Sequence, residues 1–302
     1  MKNLIVVLIS ILLLIGCEKT QDNLQEPSGG MYAITEIGIA NHWQISKLSE
    51  KNWNFQLFGD TIEFGGFAYG ASTTINNRLI VYTGQSVKHT DLDKGELIKE
   101  VLVGKVMFGL ESPGNGDFIY SMAGSSFNNS YFSRVNVETG EIITLSDIRI
   151  ESVLSKSPST LIVNNSSYYI YGKNDGRKIY CFNTNNGTLK NEIPISGSFP
   201  LHMIDGLVYN EHDGLIYYLE NKEDGMWKLM TLTPENSQLE LFLDDIDLHY
   251  NINAMLLDDK NQNYLIQNHS SSEDIILTII NLKTKQIDTY QNSYRVIELN
   301  KI

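Results

Sequence analysis

Few side chains in this sequence are placed to do chemistry, and the densest group is Asp245-Ile246-Asp247-Leu248-His249. In an extended strand, alternation puts Asp245, Asp247 and His249 on one side and Ile246 and Leu248 on the other. His202 stands 47 positions before His249, and Asp205, Asn251 and Asn253 follow the two histidines. Imidazoles, carboxylates and amides converging on one spot could bind a divalent cation or orient a polar ligand. A second group is aromatic. Trp43, Trp227 and Phe127 could stack on a sugar face or anchor a protein partner, with interior packing as the competing use. The third is a single thiol, Cys17, that follows Gly16 at the end of an apolar run.

Catalytic signatures are missing: the chain has no H-E-x-x-H, C-x-x-C or G-x-S-x-G. Asp259-Lys260-Asn261-Gln262-Asn263 imitates the start of a calcium-binding loop. Tyr264 replaces the required Gly and Ser270 the closing Glu, so a plain hairpin turn is expected there. No residue is assigned as a metal ligand and no cofactor is expected, a divalent cation at the His202–His249 group being the one exception. The balance favours a binding protein over an enzyme.

The 302 residues carry 23 basic and 36 acidic side chains, a formal charge of −13. A nucleic-acid-binding surface would show a basic excess, so nucleic acid is excluded as a partner. With 42% apolar residues the chain is rich enough to fold, and two cysteines, at 17 and 181, rule out a disulfide scaffold.

Lys2 precedes an apolar run from Leu4 to Ile15, interrupted only by Ser10. Twelve helical residues span about 18 Å, short of the ~30 Å bilayer core, which favours a signal-peptide core over a permanent span. The end of the run, Leu14-Ile15-Gly16-Cys17, resembles the lipobox of bacterial lipoprotein precursors. That resemblance implies cleavage after Gly16 and a diacylglyceryl group on the Cys17 sulfur. It also implies an outer-membrane lipoprotein facing the periplasm or the exterior, because several acyl chains make a stable anchor. Residues 1–16 are thus expected to be a lipoprotein signal peptide. Residues 17–30, polar and closed by Pro27-Ser28-Gly29-Gly30, are expected to be the lipidated cysteine and a flexible tether.

From residue 31 to 302 no amphipathic helix is evident. Apolar runs of four to eight residues alternate with Gly, Asn, Asp and Ser. One run recurs after a turn signal: Arg78–Tyr82, Asp117–Tyr120, Tyr168–Tyr171, Leu215–Tyr218 and Tyr264–Gln267. Another is a strand, a polar turn and a strand, clearest at Val135-Asn136-Val137-Glu138-Thr139-Gly140-Glu141-Ile142. Aligning Lys47, Asp91, Asn136, Asn183, Leu232 and Asn281 gives spacings of 44, 45, 47, 49 and 49. Repeats in the forties, with four short strands each, predict an all-β fold, a six-bladed β-propeller. The first segment supplies only three strands, Met31–Glu36, Trp43–Leu48 and Trp53–Phe58. The C-terminal run Tyr294–Leu299 is therefore predicted to close blade one as its innermost strand, which removes both free sheet edges. Blade four is expected to begin at Ile148. Seven blades are the alternative.

The turn types resemble the YVTN, PQQ-like and related six-bladed propeller families, six-bladed bacterial surface lipoproteins in particular. The resemblance covers almost all of residues 31–302 but is architectural, so few functional residues transfer. With strands lettered a to d from the axis outward, b–c and d–a loops share one face. His42, His89 and His269 are expected in or beside b–c loops, and His202 and His249 at d–a junctions, with His212 alone on the opposite face. Tyr82, Tyr120, Tyr171 and Tyr218 recur in strand b and are expected in the core. The reading that follows is a lipid-anchored cell-envelope module that holds a glycan, peptide or protein partner. The alternative is a metal-assisted hydrolase or lyase with its site at the central funnel.

Overall fold

The computed structural model describes residues 30–38, 42–49, 51–63, 72–151, 160–172, 176–195, 204–222, 224–248, 251–269 and 275–301. Its 24 strands form six antiparallel sheets of four. Blade one holds β1 (Met31–Glu36), β2 (His42–Leu48) and β3 (Phe55–Glu63). Blade two is β4 (Ser72–Ile75), β5 (Arg78–Tyr82), β6 (Ser86–Asp91) and β7 (Leu97–Leu102). Blade three is β8 (Val106–Glu111), β9 (Phe118–Ser126), β10 (Asn129–Asn136) and β11 (Ile142–Ile150). Blade four is β12 (Thr160–Val163), β13 (Ser167–Gly172), β14 (Lys178–Asn183) and β15 (Leu189–Pro194). Blade five is β16 (Ile204–Asn210), β17 (Leu215–Asn221), β18 (Trp227–Thr233) and β19 (Gln238–Ile246). Blade six is β20 (Asn251–Asp258), β21 (Asn263–His269), β22 (Ile275–Asn281) and β23 (Ile287–Asn292).

The last strand, β24 (Val296–Lys301), pairs with β1 as the innermost strand of blade one, with Tyr32 opposite Asn300 and Ala33 opposite Leu299. It also reaches the next blade. The Thr74 hydroxyl donates to the Lys301 carbonyl at 2.7 Å, and Asn300 Nδ2 donates to Ser72 Oγ at 2.7 Å. Each innermost strand touches the next, in the order β24, β4, β8, β12, β16, β20 and back to β24. The fold is a closed six-bladed β-propeller.

Its core is divided rather than central. Six clusters of buried apolar residues lie one between each pair of neighbouring blades, including blade six against blade one. The strands inside each blade therefore need apolar side chains on both faces, which explains continuous runs such as Ser167–Gly172, buried at every position, while outermost strands such as β7 stay largely exposed. Of the recurrent tyrosines, Tyr82, Tyr171 and Tyr218 are buried, while Tyr120 is partly buried against the cluster between blades three and four.

The recurrent polar motif is the c–d hairpin, and its chemistry is local. Asn136 Oδ1 accepts the backbone N–H groups of Glu138 and Thr139 at 2.9 and 3.0 Å, and Asp91 and Asn281 do the same in their blades. The fifth residue of each turn is left-handed: Gly95, Gly140, Gly187, Ser237 and Lys285, at φ between +60° and +77°. That residue rests on the outermost strand of the preceding blade. A Cβ on Gly140 would collide with the Leu102 carbonyl and one on Gly187 with the Leu145 carbonyl. Where the position is not Gly, its side chain reaches across. Ser237 Oγ accepts from Asn191 Nδ2, and Lys285 Nζ donates to the Phe242 carbonyl at 2.8 Å.

Two expectations change here. Blade one obeys the same turn rule: Ser49 N–H bonds the Asn54 carbonyl at 2.8 Å, and the left-handed residue is Trp53 at φ +55°. Trp53 thus belongs to the turn and not to the strand, and its ring lies 6.1 Å from that of Tyr290 in blade six. The equivalent positions are then Ser49 and Thr233 rather than Lys47 and Leu232. Ile148 does not open blade four. It continues β11, whose far half re-pairs with β10 (Tyr131 opposite Arg149) beyond a register shift.

Crowding at the turn makes a prediction. Gly187→Ala pays for both a left-handed Cβ and the overlap with Leu145. Gly214→Ala, at φ +75° with open space around it, bears only the first. We expect a loss of about 1 kcal/mol for Gly214→Ala and roughly 2–3 kcal/mol for Gly187→Ala, read from urea midpoints. Equal losses would show that the blade contact contributes nothing.

Candidate functional site: the central channel

A cavity of about 350 Å³ runs along the propeller axis and is lined by all six innermost strands. One wall is apolar. Val208 of β16 and Leu256 of β20 face the cavity half-exposed, with Met255 beside them. Across the ring from them, blades two and three contribute Thr74 and Glu111, while blade one, the neighbour of blade six, adds Glu298. Ser112, Gly114 and Lys301 lie where β8 and β24 run out toward the a–b turns, and mark the end of the cavity on that face.

A bulge precedes Glu111 in β8. Gly109 has φ +62°, and pairing with β9 shifts between Phe108 and Glu111. The bulge is held from the next blade, where Tyr168 OH donates to the Gly109 carbonyl at 2.7 Å. Blade five repeats the device: Gly206 has φ +67° and its carbonyl accepts Tyr264 OH at 2.7 Å. Such bulges re-aim the side chains after them.

Glu111 is partly buried and lines the cavity. Thr160 Oγ1 donates to its Oε1 at 2.9 Å. Burial, with a smaller push from Glu298, raises its carboxyl to about 8 against the Thr160 hydrogen bond, which favours the ionised form. The one lysine lining the cavity, Lys301, is paired with Asp259 in the turn between β20 and β21. That turn is the calcium-loop mimic, and it is a hairpin connection.

The site residues expected from sequence are scattered. Cys17, His202 and His249 lie outside the described residues, as does the signal segment. Asp205 is buried on innermost strand β16, as its position suggested. Asp245 is the penultimate residue of β19, the outermost strand of the same blade, three strand spacings or about 14 Å from the line of β16. There Asp244 and Asp245 are held by Lys222, and Asp247 follows, exposed. Alternation did separate the buried Ile246 and Leu248 from these acids. The acids nonetheless belong to the end of an outer strand and not to the mouth of the channel.

Trp43 and Trp227 open or nearly open their c strands but point inward, buried at 8% and 2% exposure in the clusters between blades one and two and between five and six. Their rings are used in packing and are not displayed to a ligand. Phe127 sits in the b–c turn of blade three, half-buried, 5.8 Å from the Phe108 ring. His42 and His269 flank b–c loops and His212 lies in an a–b turn, as expected. His89 does not: it is fully buried within β6, where Nε2 meets the Val137 carbonyl at 2.8 Å, and burial lowers its pKa. Among the described residues, no three His, Cys, Asp or Glu side chains are arranged to hold a metal ion, and no helix is long and apolar enough to cross a membrane.

The fold and its channel define the class, a six-bladed propeller, and similar solved structures agree. TolB from Acinetobacter baumannii superposes with a TM-score of 0.60 at 11% identity, over 91% of this chain and 67% of that one. A putative 6-phosphogluconolactonase from Bacteroides fragilis gives 0.56 at 12%, over 91% and 85%. The extracellular domain of a putative hybrid two component system from B. thetaiotaomicron gives 0.52 at 12%, over 88% and 35%. No family model and no curated protein matches the sequence.

Proposed function

We propose that this protein is a cell-envelope binding or scaffold propeller, anchored through lipid on Cys17, that seats part of a glycan, peptide or protein partner in its axial channel. The observation that carries this reading is the channel. All six inner strands converge on a cavity with an apolar wall facing a wall of hydroxyl and carboxyl groups, the lining expected of a selective ligand site. The likeness to the extracellular domain of a putative hybrid two component system fits a protein of the envelope. The apolar run ending in Gly16-Cys17 supports the anchor.

Two measurements test it. Labelled palmitate should enter the wild-type protein and not Cys17→Ala. A thermal-shift screen of oligosaccharides and peptides should find a ligand that raises Tm, since binding only the native state stabilises it by RT ln(1 + [L]/Kd). Glu298→Gln should abolish that shift. Turnover of a screened compound, or shifts indifferent to Glu298→Gln, would overturn the channel as a binding site.

A further inference from the structure

We propose that the axial channel is built for a positively charged group, a primary ammonium or guanidinium, carried on an aliphatic stem that enters from the face of the a–b turns. This deepens the binding role given above and rests on it.

The first argument is the division of the lining. Val208 and Leu256, from blades five and six, stand across the ring from Thr74 and Glu111, from blades two and three. A ligand filling this space must itself be two-sided, with CH₂ groups against the leucine and valine and a hydrogen-bond donor toward the acid side. The second is charge. Glu111 and Glu298 share the cavity, and the lysine that lines it is already engaged by Asp259. An alkyl ammonium offers three donors and a guanidinium five, all N–H and none an acceptor, which suits a wall of carboxylate and hydroxyl oxygens. A bare divalent cation fits less well, because no third carboxylate or imidazole is grouped there among the described residues. The third is access. Ser112, Gly114 and Lys301 stand at the end near the a–b turns, with Glu111 next to Ser112 and Glu298 three residues before Lys301, so a cation on a short stem entering there meets both acids. The same chemistry could come from a free amine or from the lysine or arginine side chain of a peptide.

The test is titration calorimetry on the folded full chain at pH 9 with four probes. These are pentylamine, its neutral isostere pentanol, the capped peptide Ac-Gly-Lys-Gly-NH2, and calcium chloride. Pentylamine is expected to bind at least tenfold more tightly than pentanol, and Glu298→Gln and Glu111→Gln should each remove at least tenfold of that preference. Glu298→Gln keeps the test decisive if the other variant folds poorly. Capped peptide matching or exceeding pentylamine assigns the side chain of a partner as the source; weaker binding assigns a free amine. Equal binding of amine and alcohol, or calcium displacing the amine, overturns the proposal. Should amines fail while a neutral oligosaccharide still raises Tm, the charge assignment falls and the binding role stands. Should no probe or oligosaccharide bind, both fall.

Discussion

Glu111→Gln is expected to make the protein more stable at pH 8, by about 3–5 kcal/mol, and by under about 1 kcal/mol at pH 5. The reason is linkage. The folded state holds the Glu111 carboxyl up to about 8, against 4.5 for the free side chain. Below 4.5 both states keep the proton and the group contributes no slope. Between 4.5 and 8 the unfolded chain sheds its proton while the fold retains one, so stability falls by about 1.36 kcal/mol for each pH unit. Above 8 the fold ionises too and the loss levels off. Glutamine has the same shape, still accepts from Thr160, and has no proton to lose. The upper end of the range assumes full desolvation, and partial access to the channel lowers it. Glu298, Tyr168 and Lys301 surround the group and are untouched by the change. Urea unfolding of both proteins at pH 5, 6.5 and 8 reads the effect. Parallel stability profiles would show that Glu111 is not buried as described.

Trp53→Ala is expected to cost about 3–5 kcal/mol, the usual range for emptying a buried indole. Trp53 is 4% exposed and packs in the cluster joining blade six to blade one, beside Tyr290. A left-handed tryptophan is itself strained by roughly 1 kcal/mol, and alanine at the same φ of +55° inherits much of that strain. Trp53→Gly relieves it, and should therefore be the less damaging of the two by several tenths of a kcal/mol to about 1 kcal/mol, despite losing more atoms. Denaturation midpoints that rank glycine below alanine would mean the turn is not left-handed at this residue.

The architecture was legible because its signals are local and repeated. Gly95, Gly140 and Gly187 announce one turn geometry, and Asn136 or Asp91 four residues earlier supplies the acceptor that shapes it. In two places that signal is disguised. Trp53 occupies a position that glycine fills elsewhere, so a tryptophan in a turn resembled the first residue of a strand. Ile148 looked like a new strand because Ser146-Asp147 suggests a break, yet β11 passes through it by re-pairing.

The channel was less legible. Reactivity drew the sequence reading to histidines and to Asp245 and Asp247, whereas the axis is lined by residues of ordinary type such as Thr160 and Glu298. One clue was present: Glu298 interrupts the apolar run Val296-Ile297-Glu298-Leu299, which was assigned correctly to the innermost strand. In this innermost strand that charged residue lines the axial cavity. Glu111 carried no such clue, because the bulge at Gly109 depends on Tyr168, 59 positions away.

The pairing of β24 with β1 has a consequence for synthesis. Thr74 and Ser72 wait for partners 227 and 228 positions downstream, so the ring cannot shut until β24 has left the ribosome. At about 5–20 residues per second the nascent chain carries an unpaired inner edge on β1 for tens of seconds. The docking of β24 is thus the step that shuts the ring.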